Sequence, residues 1–126
     1  MIKTVKIGSN NIDMKSSAYT MFSYKDETGR DILKDIKAIN ETYERIEKLP
    51  EAERDMAWLG EFTGIIELAL KMTYIMAKEF NPQTPDYKTF LKGLDTLTDN
   101  NMSWIQEVLE LAISPLLGRI QSSQNK

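Results

Sequence analysis

The chain has 126 residues, 16 basic and 19 acidic side chains and a net charge of −3, a length that suits one domain burying roughly two-thirds of its unfolded surface. It has neither histidine nor cysteine, which removes the commonest general base, the usual zinc ligands, disulfides and every Ser/His or Cys/His nucleophile. Charges of both signs are mixed along most of it, so no concentrated positive field exists to condense on phosphates, and nucleic acid is not an expected partner.

Thr4–Ile7 and Ile12–Lys15 alternate apolar and polar residues around Gly8-Ser9-Asn10-Asn11, which predicts a two-stranded hairpin. An isolated hairpin is marginal, so its apolar face must lie on a helix or on another subunit. Ser16 or Ser17 is placed to cap a first short helix reaching about Asp26, with Ala18, Met21, Phe22 and Lys25 along one face. Thr28-Gly29 stops it.

The next helix is expected to open near Arg30-Asp31, where the acid complements the helix dipole, and to run to about Leu49. Ile32, Ile36, Ile39, Tyr43 and Ile46 are spaced 4-3-4-3, a narrow seam able to pack within the chain or against a neighbour. Pro50-Glu51-Ala52-Glu53-Arg54 reads as a charged connection or as the first turn of the following helix. Between Glu41 and Glu67 eight acids face three bases, a solvated and self-repelling face.

The third helix, about Asp55 or Met56 to Phe80, has few polar sides and is either central to the domain or partly covered by a partner. Glu67 and Lys71 stand in the favourable i,i+4 order. Gly60 and Gly64 have Gly-x-x-x-Gly spacing, for which close helix packing is the plain reading. The apolar run Ile65–Ala77 is interrupted by Glu67 and Lys71 and is too short for the roughly 20 residues of a membrane span. The N-terminus shows no apolar export segment, so cytoplasmic residence is expected.

Asn81-Pro82-Gln83-Thr84-Pro85 ends that helix. A short helix follows from about Asp86 to Leu94, burying Tyr87, Phe90, Leu91 and Leu94. Asp99-Asn100-Asn101 is the next break, and a last long helix spans about Met102 to Ile113. On it, Ile105, Val108, Leu109 and Ala112 share one side, widened by Trp104 and Leu111. Pro115 inside a continuous helix costs about 3 kcal/mol, so a restart is expected with Ser114 as N-cap and Pro115 at the first helical position. Gln121–Lys126 is polar and expected to be disordered. The fold class is thus mainly α with a small N-terminal β-hairpin, an α+β domain of about five helices over residues 1–120, followed by the tail 121–126.

No P-loop or dinucleotide fingerprint occurs among the glycines. Asp31/Asp35 and Glu107/Glu110 share helix faces, but paired catalytic acids need a cleft that separates their pKa values, and each of these is expected in water. No enzyme activity, cofactor or metal is therefore expected. Core filling is the plain reading of Met72 and Met76 on the apolar helix; adaptable contact with a partner is the sharper one, assigned to these two and to Leu116, Leu117 and Ile120 beyond the proline.

Tyr24, followed by Gly29-Arg30-Asp31 and the helix opening Ile32-Leu33-Lys34-Asp35-Ile36, carries a resemblance to a known family. So do Tyr74-Ile75-Met76-Ala77-Lys78, the Pro82/Pro85 loop and the aromatic-leucine helix Tyr87–Leu94. From the hairpin to about residue 113 the chain resembles the tail assembly chaperones of siphophages and related prophages of Gram-positive bacteria. Thr28 departs from that pattern, since the family commonly places a bulky aromatic before the glycine. Gly29 would supply a positive-φ turn, Arg30 would bridge neighbouring acids and Asp31 would favour the helix start.

The resemblance implies a multimeric protein that binds the tape measure protein, a long, helical and apolar chain, and keeps it soluble while tail tube subunits assemble. It further implies recruitment of tail tube protein by a longer frameshifted form, residence in the host bacterial cytoplasm and absence from the mature virion. A head–tail joining component is the alternative. A helical DNA-binding regulator would need a basic recognition helix, which the mixed charge of Asp31–Leu49 does not offer.

Overall fold

The computed structural model describes residues 1–97 and 103–124, with side-chain surroundings as far as Leu117. Its elements in order are β1 (Ile2–Ile7), β2 (Asn10–Lys15), α1 (Tyr19–Thr28), α2 (Ile32–Glu47), α3 (Glu51–Phe80), α4 (Tyr87–Lys92) and α5 (Ser103–Gln124). The fold is mainly α-helical with one antiparallel N-terminal hairpin, as the sequence pattern predicts.

β1 and β2 pair from Ile2↔Lys15 to Ile7↔Asn10, so the reversal needs only Gly8 and Ser9. Gly8 has φ +62°, the left-handed conformation that two-residue hairpin turns demand of their first residue. Asn10 secures the turn to the segment after α4: its Nδ2 donates to the Gly93 carbonyl at 3.2 Å and its Oδ1 accepts from the Asp95 amide at 3.3 Å. Ser9 Oγ donates to Asp95 as well. Val5, Ile7 and Met14 lie on the buried face of the ribbon, so the helices of the same chain supply the support that a lone hairpin lacks.

α1 departs from expectation in its orientation. Ala18 occupies the N-cap without a side-chain bond, while Ser17 Oγ accepts from the Tyr19 amide at 3.1 Å. The buried positions are Thr20 and Tyr24, with Met21 packed beside them as expected, whereas Ala18, Phe22 and Lys25 are exposed, Phe22 at 60%. The helix turns this way to satisfy two hydroxyls: Thr20 Oγ1 donates to Glu79 at 2.9 Å and Tyr24 Oη to Asp35 at 2.7 Å.

α2 buries Ile32, Ile36, Ile39 and Ile46 and half-buries Tyr43, so the 4-3-4-3 seam packs within the chain. α3 begins at Glu51 directly after Pro50, earlier than the periodicity indicates, because proline's fixed φ suits a helix entry. Its 30 residues span about 45 Å at 1.5 Å per residue. Ten of the thirteen positions from Ile65 to Ala77 are buried, so this half is the central element of the core. The half before it is held mainly by α2, through the Tyr43–Trp58 edge contact with ring centroids 4.7 Å apart and the Arg45–Glu61 ion pair at 2.9 Å. The acids from Glu41 to Asp55 are exposed there, as a solvated face requires.

α4 is capped by Asp86, which accepts from the Thr89 amide at 3.3 Å. Tyr87, Phe90, Leu91 and Leu94 pack against the core but stay only partly buried, because a helix of under two turns cannot cover both its own faces. Lys71 places its ammonium 4.1 Å over the Tyr87 ring, a cation–π contact in place of the ion pair expected with Glu67. The Asp99-Asn100-Asn101 break and Met102 lie outside the described residues.

α5 buries Trp104, Ile105, Val108, Leu109, Leu111 and Ala112. The Trp104 indole donates to the Leu97 carbonyl at 2.7 Å. α5 does not restart at Ser114 but continues through Pro115, with its helical backbone running to Gln124. The proline removes the amide that would bond the Leu111 carbonyl, and Ser114 Oγ donates to that same carbonyl at 2.8 Å. A neighbouring hydroxyl thus replaces the missing backbone donor, which is why the helix survives. Among the described residues, no helix is long and apolar enough to cross a membrane.

Candidate interaction surface

The Tyr24/Gly29/Arg30/Asp31 motif resolves into a joint between α1 and α2. Gly29 ends α1 at φ +73° with its amide bonded to the Lys25 carbonyl at 2.7 Å, a left-handed cap for which glycine carries no Cβ penalty. Asp31 is the N-cap of α2, accepting from the Leu33 and Lys34 amides at 2.9 and 3.3 Å. Thr28, at the position where an aromatic was the expected pattern, donates its hydroxyl to the Tyr24 carbonyl at 2.6 Å and accepts from the Arg30 amide at 3.0 Å. The turn is thereby closed by hydrogen bonds instead of ring packing.

Arg30 grips Asp35 with two 2.8 Å bonds, from Nε and from Nη2. Asp35 is buried, contrary to its expected place in water, and it accepts from Tyr24 Oη as well. Burial raises the Asp35 carboxyl, but the bonds from Arg30 and Tyr24 and the Arg30 charge outweigh it and hold the group below the ordinary carboxylate range. The Tyr24 phenol is pushed well above its usual value, first by burial and then by the Asp35 carboxylate. Every polar group of the cluster is engaged with another, so it fastens two helices together. Asp31 and Asp35 do not form a cation-binding pair, and among the described residues no group of three or more acids is placed to hold a metal ion.

Met72 and Met76 are both fully buried. Their assignment to partner contact is therefore corrected: α3 is enclosed on all sides at that depth, and methionine fills space there. Leu116 and Leu117 are exposed at 42% and 37%, as a contact surface requires. The Ile120 side chain lies outside the described residues. Glu107 is paired with Lys3 at 3.3 Å, and Glu110 is exposed.

Among the described residues, the apolar side chains of the helical body with the highest fractional exposure lie elsewhere, on the first half of α3. Met56 is 73% and Leu59 72% exposed. One turn further on, this face enters a groove of about 370 Å³ lined by Phe62, Thr63, Ile66, Leu70, Tyr87 and Leu91, with Glu67 at its edge. The opposite side of α3, carrying Trp58, Glu61, Ile65 and Leu68, faces α2. Gly60 and Gly64 meet no side chain or neighbouring backbone within 4 Å of an added Cβ, so the close helix packing expected of them does not occur within the chain.

Sequence reasoning passed over this surface, although its mark was present: Ala52, Met56, Leu59, Thr63, Ile66 and Leu70 repeat with 4-3-4-3-4 spacing. The run of buried positions downstream made the whole helix read as core. No family model, curated protein or solved structure matches the chain.

Proposed function

We propose that this protein is a non-enzymatic tail assembly chaperone of a long-tailed bacteriophage or prophage, which binds the tape measure protein and keeps it soluble during tail assembly. The observation that carries the reading is the open apolar face of α3, with Met56 and Leu59 leading into the α3–α4 groove. A small domain with a filled core has no packing need for such side chains in water, and contiguous exposed apolar surface marks interaction sites. The exposed acids from Glu41 to Asp55 on the same arm would keep a coated client in solution. The order of elements and the Tyr24/Gly29/Arg30/Asp31 joint support the family resemblance.

In this reading the protein works as a multimer along its client, with Leu116 and Leu117 as the second apolar surface and the site of self-association. A frameshifted longer form recruits tail tube protein. The protein acts in the host bacterial cytoplasm and is absent from the mature virion. Co-expression with the tape measure gene product of the same genome tests the reading: the client should move from the pellet to the soluble fraction and co-purify. A client that precipitates equally with and without the protein refutes it.

A further inference from the structure

From Ala52 to Leu70 the outer face of α3 has the 4-3-4-3-4 spacing with which one helix seats another. Ala52, Met56, Leu59 and Thr63 are exposed, and Ile66 and Leu70 form the floor of the α4 groove. The seam covers about 27 Å, or about five turns. In heptad terms the flanking positions are Glu53, Gly60 and Glu67 on one side and Asp55, Phe62 and Ala69 on the other, and the three acids are exposed. Arg54 stands between Glu53 and Asp55 on the outer side of the helix and turns its Nε back to the Leu49 carbonyl at 3.1 Å, away from the seam. Lys71 is engaged with Tyr87, and Lys88 and Lys92 sit on α4, beyond the open part of the seam. Each flank of the open half thus carries one acid, Glu53 or Asp55, and no base.

We infer that this seam receives one amphipathic α-helix from another protein, with Leu, Ile or Met at alternating three- and four-residue spacing and with Lys or Arg at the positions beside them. Apolar knobs would fill the space between Met56, Leu59 and Leu70, while the basic flanks meet Glu53, Asp55 and Glu67. A second copy of this chain is the wrong occupant. Laid parallel it puts Asp55 opposite Gly60 and Phe62 opposite Glu67, with no basic partner for either acid, and laid antiparallel about Gly60 it sets Glu53 against Glu67, so neither arrangement answers the acidic flanks. The inference deepens the client-binding reading and rests on it: it names the class of client helix and the face that takes it.

The test uses the full chain and two synthetic peptides of about 21 residues, with the same leucine core and either lysine or glutamate at the flanking positions, followed by fluorescence anisotropy. The lysine-flanked peptide should bind at least about tenfold more tightly at low salt, and added salt should narrow the difference. Met56→Gln with Leu59→Gln should abolish that binding without loss of helical circular dichroism, because both side chains are exposed. Glu53→Lys with Asp55→Lys should shift the preference toward the glutamate-flanked peptide.

Equal binding of the two peptides, binding untouched by the Met56/Leu59 pair, or no binding of the lysine-flanked peptide overturns the inference. So does a dimer in light scattering that Leu59→Gln dissolves, since the occupant would then be a second copy. A wild-type protein that solubilises its client but ignores the lysine-flanked peptide contradicts this inference alone. One that binds the peptide but leaves the client in the pellet contradicts the chaperone reading alone.

Discussion

The phenol of Tyr24 donates to the buried carboxylate of Asp35 at 2.7 Å, and this bond links the last turns of α1 to the first turn of α2. Arg30 holds the same carboxylate from the solvent side. Tyr24→Phe removes a hydrogen bond to a charged acceptor and should cost about 2 kcal/mol, measured by urea unfolding at neutral pH. A loss under about 0.5 kcal/mol, the level of an ordinary surface change, would contradict the joint's structural role.

The same cluster sets a pH dependence of definite sign. Asp35 is lowered in the folded state, so its contribution is complete above the unfolded value of about 3.9 and is lost as pH falls through the folded value. Tyr24 is raised, so its contribution is complete below about pH 10 and is lost as pH rises through the folded value. Asp35→Asn should therefore be less stable than wild type at pH 7, with the difference shrinking below about pH 4. Melting temperatures of the two proteins across the acid range measure it, and a difference that widened toward low pH would reverse the assignment.

Ser114 and Pro115 should behave as a coupled pair. Pro115→Ala restores the amide for the Leu111 carbonyl and should stabilise α5 by about 2 kcal/mol. Ser114→Ala should cost about 1–2 kcal/mol where proline is present, and at least about 0.5 kcal/mol less where alanine has replaced it. Equal costs in the two backgrounds would show that the serine hydroxyl does not stand in for the backbone donor.

The two left-handed glycines should differ. A Cβ on Gly29 meets nothing within 4 Å, whereas one on Gly8 runs into Thr96. Gly29→Ala should cost about 1–2 kcal/mol of backbone strain, and Gly8→Ala that strain plus about 1–3 kcal/mol of overpacking. Thermal unfolding of both variants ranks them.

Much of this fold was legible because local chemistry and packing agree. The alternation of Val5, Ile7 and Met14, the 4-3-4-3 seam of α2 and the apolar face of α5 each specify both an element and its buried side. α1 was misread because hydrophobicity alone ranks Phe22 above Thr20 and Tyr24, while the fold is governed by where their hydroxyls find partners. Pro115 was misread because its cost was counted without the serine that offsets it. At the candidate surface, the exposure of Leu116 and Leu117 follows from their place beyond the proline, but Met72 and Met76 are not separable from Met56 by residue type. Depth along α3 decides between them, and depth depends on which helices cover which half.

That division is itself measurable. Met72→Ala should cost about 2–5 kcal/mol as a cavity in the core, whereas Met56→Ala should change stability by no more than about 0.5 kcal/mol. Comparable losses at both sites would mean that α3 is covered along its whole length and has no open face.

The soluble fraction of the tape measure gene product, co-expressed with wild type or with the Met56→Gln/Leu59→Gln variant, tests the account most directly. Wild type should keep the client soluble, and the variant, equally folded and equally abundant, should leave it in the pellet. A client held in solution equally well by both proteins would contradict the assignment of the α3 face to client binding.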